Sequence, residues 1–151
     1  EKQIARWISG IGERQFRKIF GKADQMKGVT GTNLLRLLET RLDNIVYKLG
    51  FAFSRQQARQ FVTHGHILVN GKKVNIPSYQ LKIGDAITLH LRLKENVFVK
   101  EIGEIAKTRE LPNWLSFDPE HKSGKLLRYP ERAEMTAYPV EEQFIVEFYS
   151  R

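Results

Sequence analysis

The sequence predicts an α+β protein in which a helical N-terminal part precedes antiparallel hairpins. Three observations lead to this prediction. Apolar residues recur with a helical period as far as residue 62, an Asn-Gly pair at 70–71 marks a tight hairpin, and residues 86–93 alternate strictly between apolar and polar side chains. Helices followed by antiparallel hairpins are typical of the α+β class.

The charge of the chain is concentrated in its first two thirds. The 151 residues include 25 Lys and Arg against 17 Asp and Glu, a formal net charge of +8. Residues 1–94 hold 17 basic and 6 acidic side chains, a net charge of +11, whereas residues 95–151 have a net charge of −3. Basic charge gathered in one part of a chain indicates a polyanionic partner. No apolar run approaches the ~20 residues of a membrane helix, so no membrane partner is expected.

The first helix is predicted over residues 13–23, because apolar residues recur there with helical spacing. The remaining positions of this helix are basic. A solvated surface explains each basic residue alone, but as a group they are candidates for RNA contact: Arg14, Arg17, Lys18 and Lys22. Residues 27–33 contain two glycines and predict a flexible link.

A second helix is predicted over residues 33–50 from a leucine-rich stripe, with Gly50 as its left-handed cap. Asp43 falls in the middle of this predicted helix, within an Arg-Leu-Asp triplet. The triplet resembles the one around the catalytic aspartate of pseudouridine synthases. A salt bridge with a nearby basic residue is the better explanation for an aspartate on the polar side of a helix.

A third helix is predicted over residues 54–65, where Ser54 and Gln57 have capping-box spacing and Gly65 is the stop. Two short strands follow, joined at Asn70-Gly71 by a type I′ turn, in which both central residues need a positive φ. Further along, the patterns predict a half-buried strand over 86–93, a helix over 97–107, a loop or hairpin over 116–130 and a terminal strand over 144–150.

Enzymatic and metal-binding chemistry is not predicted. Cys is absent, which excludes disulfides and thiolate ligands. His64 and His66 lie two residues apart, but His90 and His121 are distant in sequence and zinc needs three or four ligands. The chain contains no P-loop, dinucleotide fingerprint or Ser-His-Asp pattern. We therefore expect no catalytic residue, no metal and no cofactor.

The third helix and the following hairpin form the predicted RNA-binding surface. Arg suits bidentate phosphate contact, and His or Tyr can hydrogen-bond or stack on unpaired bases. We expect the removal of Arg55 and Arg59 together to weaken RNA binding and leave the melting temperature nearly unchanged. The candidate residues are Arg55, Gln56, Arg59, Gln60, His64, His66, Asn70, Lys72, Lys73 and Tyr79.

Residues 54–79 closely resemble the RNA-binding module named after ribosomal protein S-four. The pattern of that module is matched by Ser54-Arg55, Ala58, Phe61-Val62, Gly65 and Val69-Asn70-Gly71. The resemblance to the S-four family of the small ribosomal subunit, bacterial or organellar, extends over essentially the whole chain. The segments that carry it outside the module are 13–20, 37–52, 115–120 and 145–151.

The resemblance implies three parts: a helical domain (1–42), the RNA-binding module (43–107), and a mixed tail (108–151) whose hairpin and terminal strand pack back on the body. It implies that the module is a helix pair packed on a small antiparallel sheet. It implies that the basic N-terminal extension of the family is missing from this chain. It also implies a structural protein that binds small-subunit ribosomal RNA, nucleates assembly and contributes to translational accuracy.

The expected partners are small-subunit ribosomal RNA, neighbouring ribosomal proteins and, through translational repression, the chain's own messenger RNA. The free chain is expected to be a monomer and to act in the cytoplasmic or organellar ribosome. The alternatives are an RNA-modifying enzyme or another protein that carries the same module, and a protein–protein adaptor that uses the acidic tail.

Overall fold

The structure is a computed structural model that describes residues 12–90, 100, 104 and 110–135. The Cα positions divide the chain into two compact units: a first unit of residues Glu1–Glu39 together with Pro130–Arg151, and a second unit of residues Thr40–Tyr129. The three-part division expected from the resemblance stays a prediction.

The first unit is built on two helices, α1 (Glu13–Gln25) and α2 (Thr30–Glu39), and a short 3-10 helix at Arg132–Met135. The apolar side of α1 is buried against the leucines of α2, and the residues of this core are Phe16, Phe20, Ala23, Leu34, Leu37 and Leu38. The buried Asn33 amide donates to the Ala23 carbonyl at 3.2 Å and closes the turn between the helices. The flexible link predicted over residues 27–33 is wrong for residues 30–33, because α2 already begins at Thr30.

The single helix predicted over residues 33–50 is wrong, because α2 ends at Glu39 and a separate helix, α3, spans Leu42–Lys48. Arg41 between them is extended, with φ −65° and ψ 143°. The backbone on either side of Arg41 pairs with the segment around Gln80: Leu81 N–H donates to the Thr40 carbonyl at 3.1 Å, and Leu42 N–H to the Tyr79 carbonyl at 2.9 Å. These hydrogen bonds to a distant segment satisfy backbone N–H and C=O groups that would otherwise bond within a continuous helix. The helix can therefore be interrupted at Arg41 without leaving those groups unpaired.

The second unit contains α3, a helix α4 (Arg55–Thr63) and a five-stranded sheet. The strands are β1 (Ile67–Val69), β2 (Lys72–Lys73), β3 (Ala86–Leu89), β4 (Leu115–Asp118) and β5 (Ser123–Leu126). Their order is β2-β1-β3-β5-β4, and each neighbouring pair is antiparallel. The predicted helix pair on an antiparallel sheet, and with it the α+β class, is confirmed.

One face of the sheet, which we call the inner face, packs on α3 and α4. Ile67 and Val69 of β1 and Ile87 and Leu89 of β3 are buried in this core. Their alternation with half-buried residues follows the period of a strand. The helices contribute Leu42, Ile45, Val46, Leu49, Ala58 and Val62. Full burial of each such aliphatic side chain contributes about 1.5–3 kcal/mol.

The later predictions are tested only in part. The hairpin expected over 116–130 is confirmed by β4 and β5. The predicted helix over 97–107 lies outside the described residues except for Lys100 and Glu104, which are helical. The predicted strand over 144–150 lies wholly outside them. Within the described part of the chain, no helix has the length and apolar character needed to span a bilayer.

Candidate nucleic-acid interface

Helix α4 begins at a hydrogen-bonded cap. Ser54 Oγ accepts the Gln57 N–H at 3.1 Å, and Gln57 Oε1 accepts the Phe53 N–H at 2.6 Å. The predicted cap is therefore confirmed, although the glutamine reaches the residue before the cap rather than the cap itself. Ala58 and Val62 are fully buried. Their burial fixes which side of α4 faces the solvent.

The polar residues of α4 form two rows along that solvent side. Gln56 and Gln60 are exposed, whereas Arg55 and Arg59 are half-buried. Residues four apart on a helix are neighbours, so each pair forms one row. The result is a strip of amide and guanidinium groups that can hydrogen-bond to a phosphate backbone.

Arg55 is also tied to α3. Its Nε donates to Asn44 Oδ1 at 2.9 Å, and its Cζ lies 4.8 Å from the centroid of the Tyr47 ring. Sequence reasoning missed both partners, because they lie on a different helix and the periodicity within one helix does not show which residues of a neighbouring helix face it. These contacts lead us to expect a structural role for Arg55 beside any contact with RNA. They replace the expectation that removing Arg55 and Arg59 leaves the melting temperature nearly unchanged, because loss of Arg55 should lower it.

The C-terminal end of α4 turns the chain directly into the sheet. Gly65 has a φ of 78°, as its predicted role of stop requires. The Gly65 N–H donates to the Val62 carbonyl at 3.0 Å and the His66 N–H to the Phe61 carbonyl at 3.0 Å. This paired arrangement is a Schellman motif. It places His66 immediately before β1.

The hairpin tip is the predicted type I′ turn, with φ 52° at Asn70 and φ 81° at Gly71. The side chain of Asn70 is engaged within the fold. Its Oδ1 accepts the Ala86 N–H at 2.9 Å, and its Nδ2 donates to Asp85 Oδ1 at 2.9 Å. Asn70 therefore fastens the hairpin to the start of β3, and its expected contact with RNA stays a prediction.

The two lysines after the turn lie on opposite faces of β2. Lys72 pairs with the buried Val69 and Lys73 with the half-buried Leu68, so alternation along the strand separates their side chains. Lys73 crosses the end of α4, since its Cδ lies 3.1 Å from the position that a Cβ on Gly65 would occupy. Lys73 of the hairpin thus lies against the C-terminal end of α4.

Three imidazoles and Lys73 come together beside this junction. The His64 and His66 rings are 6.2 Å apart, and the His90 N–H donates to the His66 carbonyl at 2.7 Å. Burial lowers the pKa of His66, and the charges of His64, His90 and Lys73 lower it further. Sequence reasoning set His90 aside as distant. The register of two adjacent antiparallel strands is the signal that would have found it.

Comparison with known proteins decides the family. Residues 40–87 match the model of the S4 domain, and residues 1–39 match the model of the ribosomal protein S4/S9 N-terminal domain. The chain is 54% identical over 151 residues to the small ribosomal subunit protein uS4 of Natranaerobius thermophilus. Its identity is 52% to the uS4 of Thermus thermophilus and 55% to that of Dictyoglomus turgidum. Each match covers 100% of this chain and 72% of the relative.

The chain belongs to the uS4 family of small ribosomal subunit proteins. The expected family is thereby confirmed. The relatives are named as ribosomal proteins, so membership in the uS4 family also decides against the rival expectation of a modifying enzyme.

The first unit of this uS4-family chain carries a separate group of cations on α1. The four predicted residues are all exposed: Arg14, Arg17, Lys18 and Lys22. They lie opposite the buried Phe16, Phe20 and Ala23. This side of α1 suits a polyanion, and its contact with RNA stays a prediction.

Tyr79 of the uS4-family chain takes part in the fold through both its side chain and its backbone. It is half-buried and packs against the core of the second unit. Its carbonyl accepts the Leu42 N–H. Stacking of its ring on a base stays a prediction.

Asp43 lies in a buried ion pair, as the sequence indicated, but in the first turn of α3 rather than mid-helix. Arg41 Nε donates to Asp43 Oδ1 at 3.1 Å, and Arg41 Nη2 donates to Asp43 Oδ2 at 3.0 Å. This bidentate ion pair gives the Arg-Leu-Asp triplet of the uS4-family chain a structural role, so a catalytic role is not needed to explain it.

One group of side chains in the described residues has a spacing that a metal ion could use: the exposed Asp118, Glu120 and His121. Asp118 already accepts the backbone N–H groups of Glu120 and His121, and its Oδ2 lies 2.7 Å from His121 Nδ1. The hydrogen bond with the His121 side chain is the main cause that lowers the pKa of Asp118. These hydrogen bonds explain the close spacing of the three side chains as part of the tight turn between β4 and β5.

Proposed function

We propose that this chain is a structural protein of the small ribosomal subunit that binds ribosomal RNA directly through α4 and the β1–β2 hairpin. The observation that carries the proposal is the position of Lys73 across Gly65, which joins the helix end to the hairpin. The strip of Gln56, Arg59 and Gln60 on α4 then continues into the imidazoles of His64 and His66.

This surface suits a folded RNA better than a small anion. Its groups are spread along α4, whose nine residues extend about 13 Å, and then onto the hairpin. Arginine and lysine contribute phosphate contacts, which set affinity and position. Glutamine amides contribute hydrogen bonds to unpaired bases, and imidazole rings contribute hydrogen bonds to bases or to phosphate oxygens. The net charge of +11 over residues 1–94 favours the same partner.

The cations of α1 form a second proposed contact with ribosomal RNA, made by the first unit. Two RNA-binding surfaces on one chain can hold two RNA segments together, which is the physical basis of the proposed role in nucleating assembly. We also propose contacts with neighbouring ribosomal proteins and a contribution to translational accuracy, as the family implies. The proposed place of action is the ribosome.

Footprinting on small-subunit ribosomal RNA tests the main proposal. We expect the chain to protect a discrete region of that RNA and to leave large-subunit ribosomal RNA unprotected at the same concentration. Lys73→Gln should weaken this protection, whereas Lys125→Gln, the same charge change on an exposed lysine of β5, should not. Equal losses for both variants would assign the effect to net charge and contradict the proposed surface.

Two finer proposals come from the family alone: the free chain is a monomer, and it binds its own messenger RNA. Sedimentation at increasing concentration tests the first, and a constant molecular mass is the expected result. Competition between the messenger leader and ribosomal RNA for the chain tests the second. A leader that fails to displace ribosomal RNA would contradict it.

A further inference from the structure

The β1–β3 pair places two histidines side by side at the end of the sheet that lies nearest α4. Ile67 pairs with Leu89, so the next residues outward, His66 and His90, are opposite each other, as their 2.7 Å backbone hydrogen bond shows. Side chains of directly opposite residues project from the same face of a sheet. Because Ile67 and Leu89 are buried on the inner face, both imidazoles project from the other, outer face.

Two more basic side chains reach His66 from other elements. His64, at the end of α4, has its ring centroid 6.2 Å from that of His66. Lys73 of β2 pairs with Leu68, and therefore also projects from the outer face, with its side chain lying across Gly65. His66 is thus the centre of a cluster to which the ends of α4 and β3 and the strand β2 each contribute one basic side chain. We call His64, His66, His90 and Lys73 the imidazole cluster.

The cluster has no anion of its own within the described residues that acts on its central member. Burial is the largest cause that lowers the pKa of His66, the charges of His64, His90 and Lys73 lower it further, and no described carboxylate opposes them. Protonation of His66 in the free protein therefore occurs against the repulsion of its neighbours. A negative group placed against His66 would therefore favour its protonated form.

We propose that the imidazole cluster is a seat for one phosphodiester group of the bound RNA, and that the cluster takes up a proton when the RNA binds. The proposal rests on the proposed RNA binding and deepens it by naming the site and its proton linkage. A phosphate among these side chains replaces repulsion by attraction and accepts hydrogen bonds from imidazolium N–H groups and the Lys73 ammonium.

The direction of the pH dependence follows from the proton uptake. A phosphate favours the protonated form of His66, so the bound protein holds more protons than the free protein. Affinity for RNA should therefore rise as the pH falls through the bound-state pKa of His66 and level off at higher pH. Each proton taken up changes the affinity by at most about tenfold per pH unit.

The test is the affinity of the full chain for a small-subunit ribosomal RNA fragment at fixed salt, between pH 8 and pH 6. We expect the affinity of the unmodified chain to rise by about three- to tenfold over this range. His66→Gln should flatten the dependence, measured against that variant's own affinity at pH 8. His121→Gln, which removes an exposed histidine of the β4–β5 turn, should retain the full dependence. Circular dichroism at each pH establishes that every variant is folded.

Calorimetry gives an independent readout. At pH 6.5, binding enthalpies measured in two buffers of different ionisation enthalpy should differ for the unmodified chain, because the buffer supplies the proton. The difference should shrink for His66→Gln. The NMR titration of the His66 ring should also move to higher pH when RNA is added.

The outcomes separate the two proposals. RNA binding that is independent of pH, or that keeps its pH dependence in His66→Gln, overturns the phosphate seat and leaves the RNA-binding function standing. Loss of the pH dependence in His121→Gln also overturns the seat. No affinity for small-subunit ribosomal RNA at any pH overturns the proposed function itself.

Discussion

The guanidinium of Arg55 lies over the ring of Tyr47, with its Cζ 4.8 Å from the ring centroid. The same guanidinium donates from Nε to Asn44 Oδ1 at 2.9 Å. Both partners belong to α3, so one side chain of α4 fixes the packing of the helix pair. A residue expected on charge alone to contact RNA therefore also holds the surface in shape.

Arg55→Ala should lower the free energy of unfolding by about 2 kcal/mol. A cation–π contact at an exposed site contributes about 0.5–1 kcal/mol, and a hydrogen bond to a charged group about 1.5–3 kcal/mol. Urea denaturation measures the change. Gln56→Ala, at the adjacent exposed position of α4, is the control and should change the stability by less than about 0.5 kcal/mol. Equal stabilities of the two variants would show that Arg55 has no structural role.

Gly71→Val should destabilise the fold through the backbone alone. Gly71 has a φ of 81°, and a Cβ at this position would meet no atom within 4 Å. The cost therefore comes from the left-handed conformation, about 1–2 kcal/mol, and more for a β-branched residue. Lys72→Val, at the next position and in an extended strand, is the matched control. Thermal melts that coincide for the two variants would argue against the type I′ turn.

Gly124→Ala should destabilise the second unit by about 1–3 kcal/mol, because a Cβ there would lie 2.9 Å from the Leu49 Cγ and closer still to its methyl groups. The core packing between β5 and α3 would have to shift. Gly21→Ala is the control, since its Cβ would meet nothing within 4 Å on α1. That variant should be more stable by about 0.5–1 kcal/mol. A Gly124→Ala variant as stable as the parent would mean that Leu49 does not approach β5.

The lowered pKa of His66 predicts a pH dependence of stability in the absence of RNA. Its folded-state pKa lies below the ordinary value of 6.5, so the unfolded chain binds more protons around that pH. The folded protein therefore has its full stability above pH 6.5. This stability decreases as the pH falls from 6.5 towards the lower folded-state pKa of His66. Melting temperatures of the unmodified chain and His66→Gln should diverge accordingly between pH 7.5 and pH 5. Parallel curves would contradict the shift.

Local signals in the sequence were sufficient for the turns and caps. Gly50, Gly65, Asn70 and Gly71 all have the positive φ that their neighbours in sequence predict. Such features depend on a few consecutive residues, so their residue types are enough to identify them.

Contacts between distant segments were not predictable in the same way. The break at Arg41 depends on backbone bonds to the segment around Gln80, which periodicity does not reveal. His90 joins His66 only through strand register. Lys72 and Lys73 are the same residue type at consecutive positions, yet alternation along β2 places their side chains on opposite faces.

The salt dependence of affinity for small-subunit ribosomal RNA tests most directly whether α4 and the hairpin contact phosphates. The chain and the double variant Arg59→Gln, Lys73→Gln should give straight lines of log K against log salt concentration. Each lost phosphate contact reduces the slope by about 0.7–0.9, so the account predicts a slope shallower by about 1.4–1.8. Parallel lines for the chain and the double variant would contradict it.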